Sequence, residues 1–174
     1  MSQMEKALKI PTRQKSTVSQ GGDQKTVHRT AGGQVVGYYV QGPSGKGAAR
    51  NFTPSKLIQS LKAGLPVQEL DELRGHLDLP MERLAPMLGI SKATLHRRKI
   101  SGRLDPAESD RVVRFARLLG QAVEVLESVA NARLWLTAPQ AGLAGAVPLE
   151  YAETEVGARE VEDLLTRIEY GVYS

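Results

Sequence analysis

The stretch MERLAPMLGISKATLHRRK, from Met81 to Lys99, decides the fold. Its spacing predicts two short helices crossing at a tight turn, a helix-turn-helix. Ala85 is small where the second helix crosses the first, Gly89 supplies the positive φ of the turn, and Leu84, Leu88, Ile90 and Leu95 fill the wedge between them. Ser91 caps the second helix, which presents Lys92, Thr94, His96, Arg97, Arg98 and Lys99 around a cylinder that a DNA major groove admits. Side chains near the start of such a helix reach base edges, so Ser91, Lys92 and Thr94, joined by Arg97, are the expected readers. Arg98, Lys99 and Arg103 are expected to neutralise phosphates. Two residues strain the motif. Pro86 sits inside the first helix, where it removes a backbone hydrogen bond and kinks the axis. Arg98 stands where repressor motifs usually bury an apolar residue, and Ile100 is expected to take over that packing. The competing reading is a helical hairpin with a solvated basic edge.

Outward from the motif, the chain stays helical on both sides. Thr53 caps and Pro54 opens a short helix ended by Gly64, and Val67, Leu70, Leu73 and Leu77 carry helical spacing through a second. Downstream, Val112, Phe115, Leu119, Ala122, Leu126 and Val129 form one stripe, predicting a long core helix over 108–130. Arg111, Arg114 and Arg117 lie on its other face and are read as solvated, with nucleic-acid contact the alternative. Thr154 caps a closing helix whose Val161, Leu164, Leu165 and Ile168 form its stripe, with Gly171 at its C-cap. Residues 1–51 have linker chemistry, rich in Gly, Ser, Thr, Gln and Lys. Within them, residues 34–41, QVVGYYVQ, are β-favouring and are predicted as one short strand or hairpin arm. The run GPSGKG is a flexible turn: a phosphate loop needs Gly and Ser/Thr where Val40 and Gly47 stand.

Composition agrees with a mainly α fold. Aromatic residues make up 5% of the 174 residues, so Leu, Val and Ala must build the core. With no cysteine, a disulfide framework and a thiolate zinc site are excluded, and the cytoplasm is the expected compartment. No apolar run approaches a membrane span. His28, His76 and His96 lie far apart beside no recognisable nucleophile or metal spacing, so no catalytic residue, metal or cofactor is expected. The net charge of +4 conceals a gradient: residues 1–60 hold nine basic against two acidic residues, whereas residues 121–174 hold three against nine. The two ends are therefore suited to different partners.

From Leu79 onward the chain resembles the antitoxins of the Xre/MbcA/ParS class, which pair an Xre-like helix-turn-helix with a C-terminal toxin-binding domain. The resemblance is carried by ARLWL from Ala132, LAGAVPL from Leu143, TEVG from Thr154, and Val161 through LLTRIEYGVYS from Leu164. Ala144-Gly145 departs from two glycines common in the family. The resemblance implies a RES-type toxin that consumes NAD or transfers ADP-ribose as partner. Trp135, Glu169, Tyr170, Gly171, Val172, Tyr173 and Ser174 would then meet the toxin, with the tail over its active site. It also implies operator DNA of the chain's own promoter as a second partner, and symmetry favours a homodimer presenting reading helices to half-sites about 34 Å apart. The expected organisation is a basic N-terminal segment over 1–51, the helix-turn-helix domain over 52–130 and the toxin-binding domain over 131–174. A free-standing regulator with a ligand-sensing C-terminal domain is the alternative.

Overall fold

The computed structural model describes residues 34–41 and 53–172. Among them are nine α-helices: α1 Gln34–Gln41, α2 Pro54–Ala63, α3 Gln68–Leu77, α4 Met81–Met87, α5 Lys92–Ser101, α6 Pro106–Leu126, α7 Val129–Thr137, α8 Pro148–Tyr151 and α9 Glu155–Glu169. A 3-10 turn at Ala141–Leu143 separates α7 from α8. No strand occurs among the described residues, and one isolated antiparallel bridge joins Pro66 to Arg103.

The axis of the molecule is α6. Its N-terminus is closed by a capping box in which Asp105 Oδ1 accepts the Glu108 N–H at 2.7 Å while Glu108 Oε2 accepts the Asp105 N–H at 2.9 Å. Its buried stripe, including Val112, Phe115, Leu119 and Ala122, is the one the periodicity predicts, and α1, α2, α3, α7 and α9 all pack on it. The expected helix over 108–130 is shorter at its C-terminal end than its hydrophobic pattern. Glu127 turns left-handed at φ 57°, and Ser128 starts α7 by accepting the Asn131 N–H. The stripe continues across a bend, which lets α7 fold back on α6.

The strand expected over 34–41 is instead the helix α1, and its formation is tertiary. An eight-residue helix is marginal alone. Here Val35, Val36 and Val40 are buried, and the carboxylate of Glu69, on α3, accepts the Val35 and Val36 N–H groups at 3.0 Å each. These are two of the donors that a helix N-terminus leaves unpaired. At the other end Gly120 lets the α1 backbone reach α6: a Cβ there would stand 2.1 Å from the Tyr39 carbonyl oxygen. The remainder of the expected basic segment, 1–33 and 42–51, lies outside the described residues.

Candidate functional site

In the helix-turn-helix, α4 and α5 meet as the spacing requires. Leu84, Ala85, Leu88 and Ile90 are buried and Leu95 is half-buried. Gly89 has φ 68°, and the turn is closed by Ile90 N–H donating to the Ala85 carbonyl at 2.8 Å. Arg111 of α6 braces it from behind, donating to the Leu88 carbonyl at 3.1 Å. Pro86 is accommodated because α4 ends one residue later; its exposed ring occupies the last turn, where a single ladder bond is lost. Between α4 and α5 an apolar cleft of about 550 Å³ opens beside Met81, Ala85, Pro86, Ile90 and Leu95.

Ser91 caps α5: its Oγ accepts the Thr94 N–H at 3.1 Å and donates to Thr94 Oγ1, which also accepts from Arg97 Nη2 at 3.2 Å. Lys92, His96, Arg97 and Lys99 are exposed. Two of the expected phosphate contacts have partners within the chain, half-buried Arg98 by ion pairs and exposed Arg103 by a single hydrogen bond. Arg98 Nε lies 2.7 Å from Glu108 Oε2 and its Nη2 lies 2.9 Å from Asp105 Oδ2, while Arg103 Nη1 donates to the Gly64 carbonyl at 2.7 Å. Ile100 does not replace the missing apolar seat, being 76% exposed. Sequence reading missed Asp105 and Glu108 as partners of Arg98, although the Asp-x-x-Glu spacing was a visible capping-box signal.

Of the α6 arginines, Arg117 is exposed as expected of a solvated face, whereas Arg111 and Arg114 are drawn into the fold, and both Arg114 and Arg117 are ion-paired. Arg114 lies 3.1 Å from both Asp110 and Glu155 carboxylates, and Arg117 lies 2.7 Å from Glu162. Part of the acidic excess of the C-terminal third is thereby neutralised within the molecule. Arg133 was likewise unforeseen: its guanidinium donates to the Gly75 and His76 carbonyls, closing the C-terminus of α3.

At the other end, Thr154 caps α9, and Gly171, with φ 66°, ends it. Gly171 N–H donates to the Ile168 carbonyl and Val172 N–H reaches back to the Arg167 carbonyl at 2.9 Å, the paired bonds of a Schellman closure. Half-buried Trp135, Gly142, Leu164, Arg167, Ile168 and Val172 line a groove of about 360 Å³. Tyr170 stands 73% exposed beside it, and Glu169 is exposed. The structure thus brings Trp135, Gly171 and Val172 to one place; Tyr173 and Ser174 lie outside the described residues.

Both halves have recognised relatives. Residues 56–117 match the family described as the antitoxin Xre-like helix-turn-helix domain, and residues 121–171 match the antitoxin Xre/MbcA/ParS C-terminal toxin-binding domain. The chain is 36% identical over 120 residues to "Antitoxin Xre" of Yersinia enterocolitica, covering 68% of this chain and 81% of that one. It is 29% identical over 147 residues to "Antitoxin Xre" of Photorhabdus laumondii, covering 72% and 99%.

Proposed function

Since this chain belongs to the Xre antitoxin family, non-enzymatic proteins that join a helix-turn-helix to a toxin-binding domain, we propose that it neutralises a RES-type toxin and represses its own promoter. The domain division proposed is a DNA-binding unit over 52–130 and a toxin-binding unit over 131–174. The toxin is one that consumes NAD or transfers ADP-ribose from it, and the surface around Trp135, Glu169, Tyr170, Gly171, Val172, Tyr173 and Ser174 docks over its active-site entrance. The observation that carries this reading is the Schellman closure at Gly171. It turns the chain out of α9 beside an open apolar groove and leaves Tyr170 facing solvent. Such an aromatic is the kind of anchor that dominates interfaces.

On the DNA side, Ser91, Lys92, Thr94 and Arg97 meet base edges and Lys99 meets phosphate, with His96 on the same exposed helix. Two chains present two α5 helices to half-sites about 34 Å apart. The protein acts in the cytoplasm, where both partners reside.

Two measurements test this. Chains ending at Glu169 are expected to lose neutralisation when co-expressed with the adjacent-gene toxin; undiminished neutralisation would remove the tail from the mechanism. Lys92→Ala and Arg97→Ala are each expected to weaken binding to a duplex from the chain's own promoter. Wild-type protein that fails to prefer that duplex over scrambled DNA would remove the autorepression reading.

A further inference from the structure

The α5 helix has no fully buried side chain, yet a reading helix must be held at a fixed depth and angle. Ile100, the residue expected to seat it, is in solvent. Half-buried Leu95 gives α5 one apolar contact with the core, and polar contacts supply the rest. Its C-terminal end is fixed by the bridge to the α2–α3 connection, where Val67 N–H donates to the Gly102 carbonyl at 3.0 Å and Leu104 N–H to the Leu65 carbonyl at 2.9 Å. Its middle is held by Arg98. The guanidinium engages Glu108 through two nitrogens, Nε at 2.7 Å and Nη2 at 3.1 Å, and Nη2 also reaches Asp105 at 2.9 Å.

We propose that Arg98 is a positioning residue, part of an Arg98–Asp105–Glu108 clamp that seats the reading helix on the N-terminus of α6, and that it makes no phosphate contact. Three features support this. Glu108 is 4% exposed, and a carboxylate so buried needs a cation beside it. The carboxylate oxygens of Asp105 and Glu108 are shared between the capping box and Arg98, so the cap of α6 and the seat of α5 are one network. One guanidinium facing two carboxylates is also a poor phosphate ligand, because its charge is already balanced and its Nε and Nη2 donors are committed. An ammonium cannot reproduce the forked contact, which makes lysine a discriminating substitute.

The inference rests on the DNA-binding reading for its consequence, but the clamp itself is testable without DNA. In the full chain, Arg98→Lys, Arg98→Met and Glu108→Gln are each measured by hydrogen exchange and by binding to the promoter duplex and a scrambled duplex across a salt series. Glutamine at 108 keeps the capping box, so this variant is expected to retain the fold. Each variant is expected to speed amide exchange in 92–101 by about 10- to 100-fold with α9 unchanged, since charge-assisted hydrogen bonds of this kind are lost. Promoter affinity falls by about the same factor while the slope of log affinity against log salt stays at the wild-type value, because no phosphate contact is removed. Combining Arg98→Met with Glu108→Gln costs little more than either alone.

A phosphate contact predicts the reverse: Arg98→Lys retains affinity, Arg98→Met lowers the salt slope by about 1, and Glu108→Gln, by freeing the cation, tightens binding. Any of these results, or unchanged exchange in 92–101, overturns the clamp. If wild-type protein shows no promoter preference, the DNA-binding reading fails by itself and hydrogen exchange still decides the clamp.

Discussion

Replacing Gly120 by alanine sets two well-defined effects against each other. Within α6, Gly→Ala is favourable by about 1 kcal/mol, since glycine is a poor residue for a helix interior. Against this, the new Cβ would lie 2.1 Å from the Tyr39 carbonyl oxygen, whereas such atoms do not approach within 3.0 Å, so α1 must withdraw by about 0.9 Å. The obstacle is backbone and cannot swing aside. Burying a valine is worth about 2 kcal/mol, hence about 6 kcal/mol for Val35, Val36 and Val40 together. A gap approaching 1 Å forfeits about a quarter to a half of the contact energy, a loss of about 1.5–3 kcal/mol that exceeds the propensity gain. Hydrogen exchange on the intact chain separates the two: amides of α1 are expected to exchange about 10- to 150-fold faster, while those in the middle of α6 are slowed or unchanged. If residues 35–40 keep their wild-type protection, the close approach at Gly120 does not seat α1 and this reasoning is wrong.

Three further outcomes are expected. Gly157→Ala drives a Cβ to 1.8 Å from the Tyr151 carbonyl oxygen and should destabilise the α8–α9 corner by about 1–3 kcal/mol in urea unfolding; wild-type stability would contradict the packing described. Gly89→Ala strains the left-handed backbone, at a cost of about 1–2 kcal/mol by denaturation, and its Cβ stands 2.8 Å from the Arg111 Nη1 that braces the Leu88 carbonyl, adding to that cost; a neutral result would refute both. Burial lowers the His76 pKa below its ordinary 6.5, with Glu72 opposing the shift and Arg133 adding to it. The neutral form is thus favoured in the fold, and stability present above 6.5 is eroded as pH falls and the unfolded chain takes up the proton first. His76→Gln should flatten urea midpoints across that range, and an identical pH slope in the variant would count against it.

The helix-turn-helix was legible because each of its constraints is local. Ala85, Gly89 and the apolar residues around them lie within one or two turns of each other, and the caps Thr53, Ser91 and Thr154 act on amides three residues on. What escaped was set by distant partners. QVVGYYVQ carries β-favouring residues, and burial of its valines, the carboxylate of Glu69 more than thirty positions away and the close approach at Gly120 make it a helix. Arg98 read as a spare cation because its partners sit 7 and 10 residues along, across a turn rather than along a helix face. The partners of Arg114 and Arg117 were hidden because Glu155 and Glu162 belong to a helix that packs on α6 from the far end of the chain. Of the groove's lining only Trp135 and Val172 were anticipated as site residues, since the closure at Gly171 that shapes it depends on backbone bonds from Val172 and Gly171.

The matched families part between residues 117 and 121, yet α6 runs unbroken from Pro106 to Leu126 through that gap. The border between the two halves is therefore a rigid shaft, and its angular phase is inherited along with its length. One residue inserted there would turn everything downstream by about 100° about the shaft and advance it by about 1.5 Å. A chimera that joins the two halves of different relatives therefore has to preserve register in α6 and the pairs Arg114–Glu155 and Arg117–Glu162 that cross the border. A splice that shifts the count by one would part Arg114 and Arg117 from Glu155 and Glu162, and Arg133 from the carbonyls that end α3, so it costs packing as well as direction.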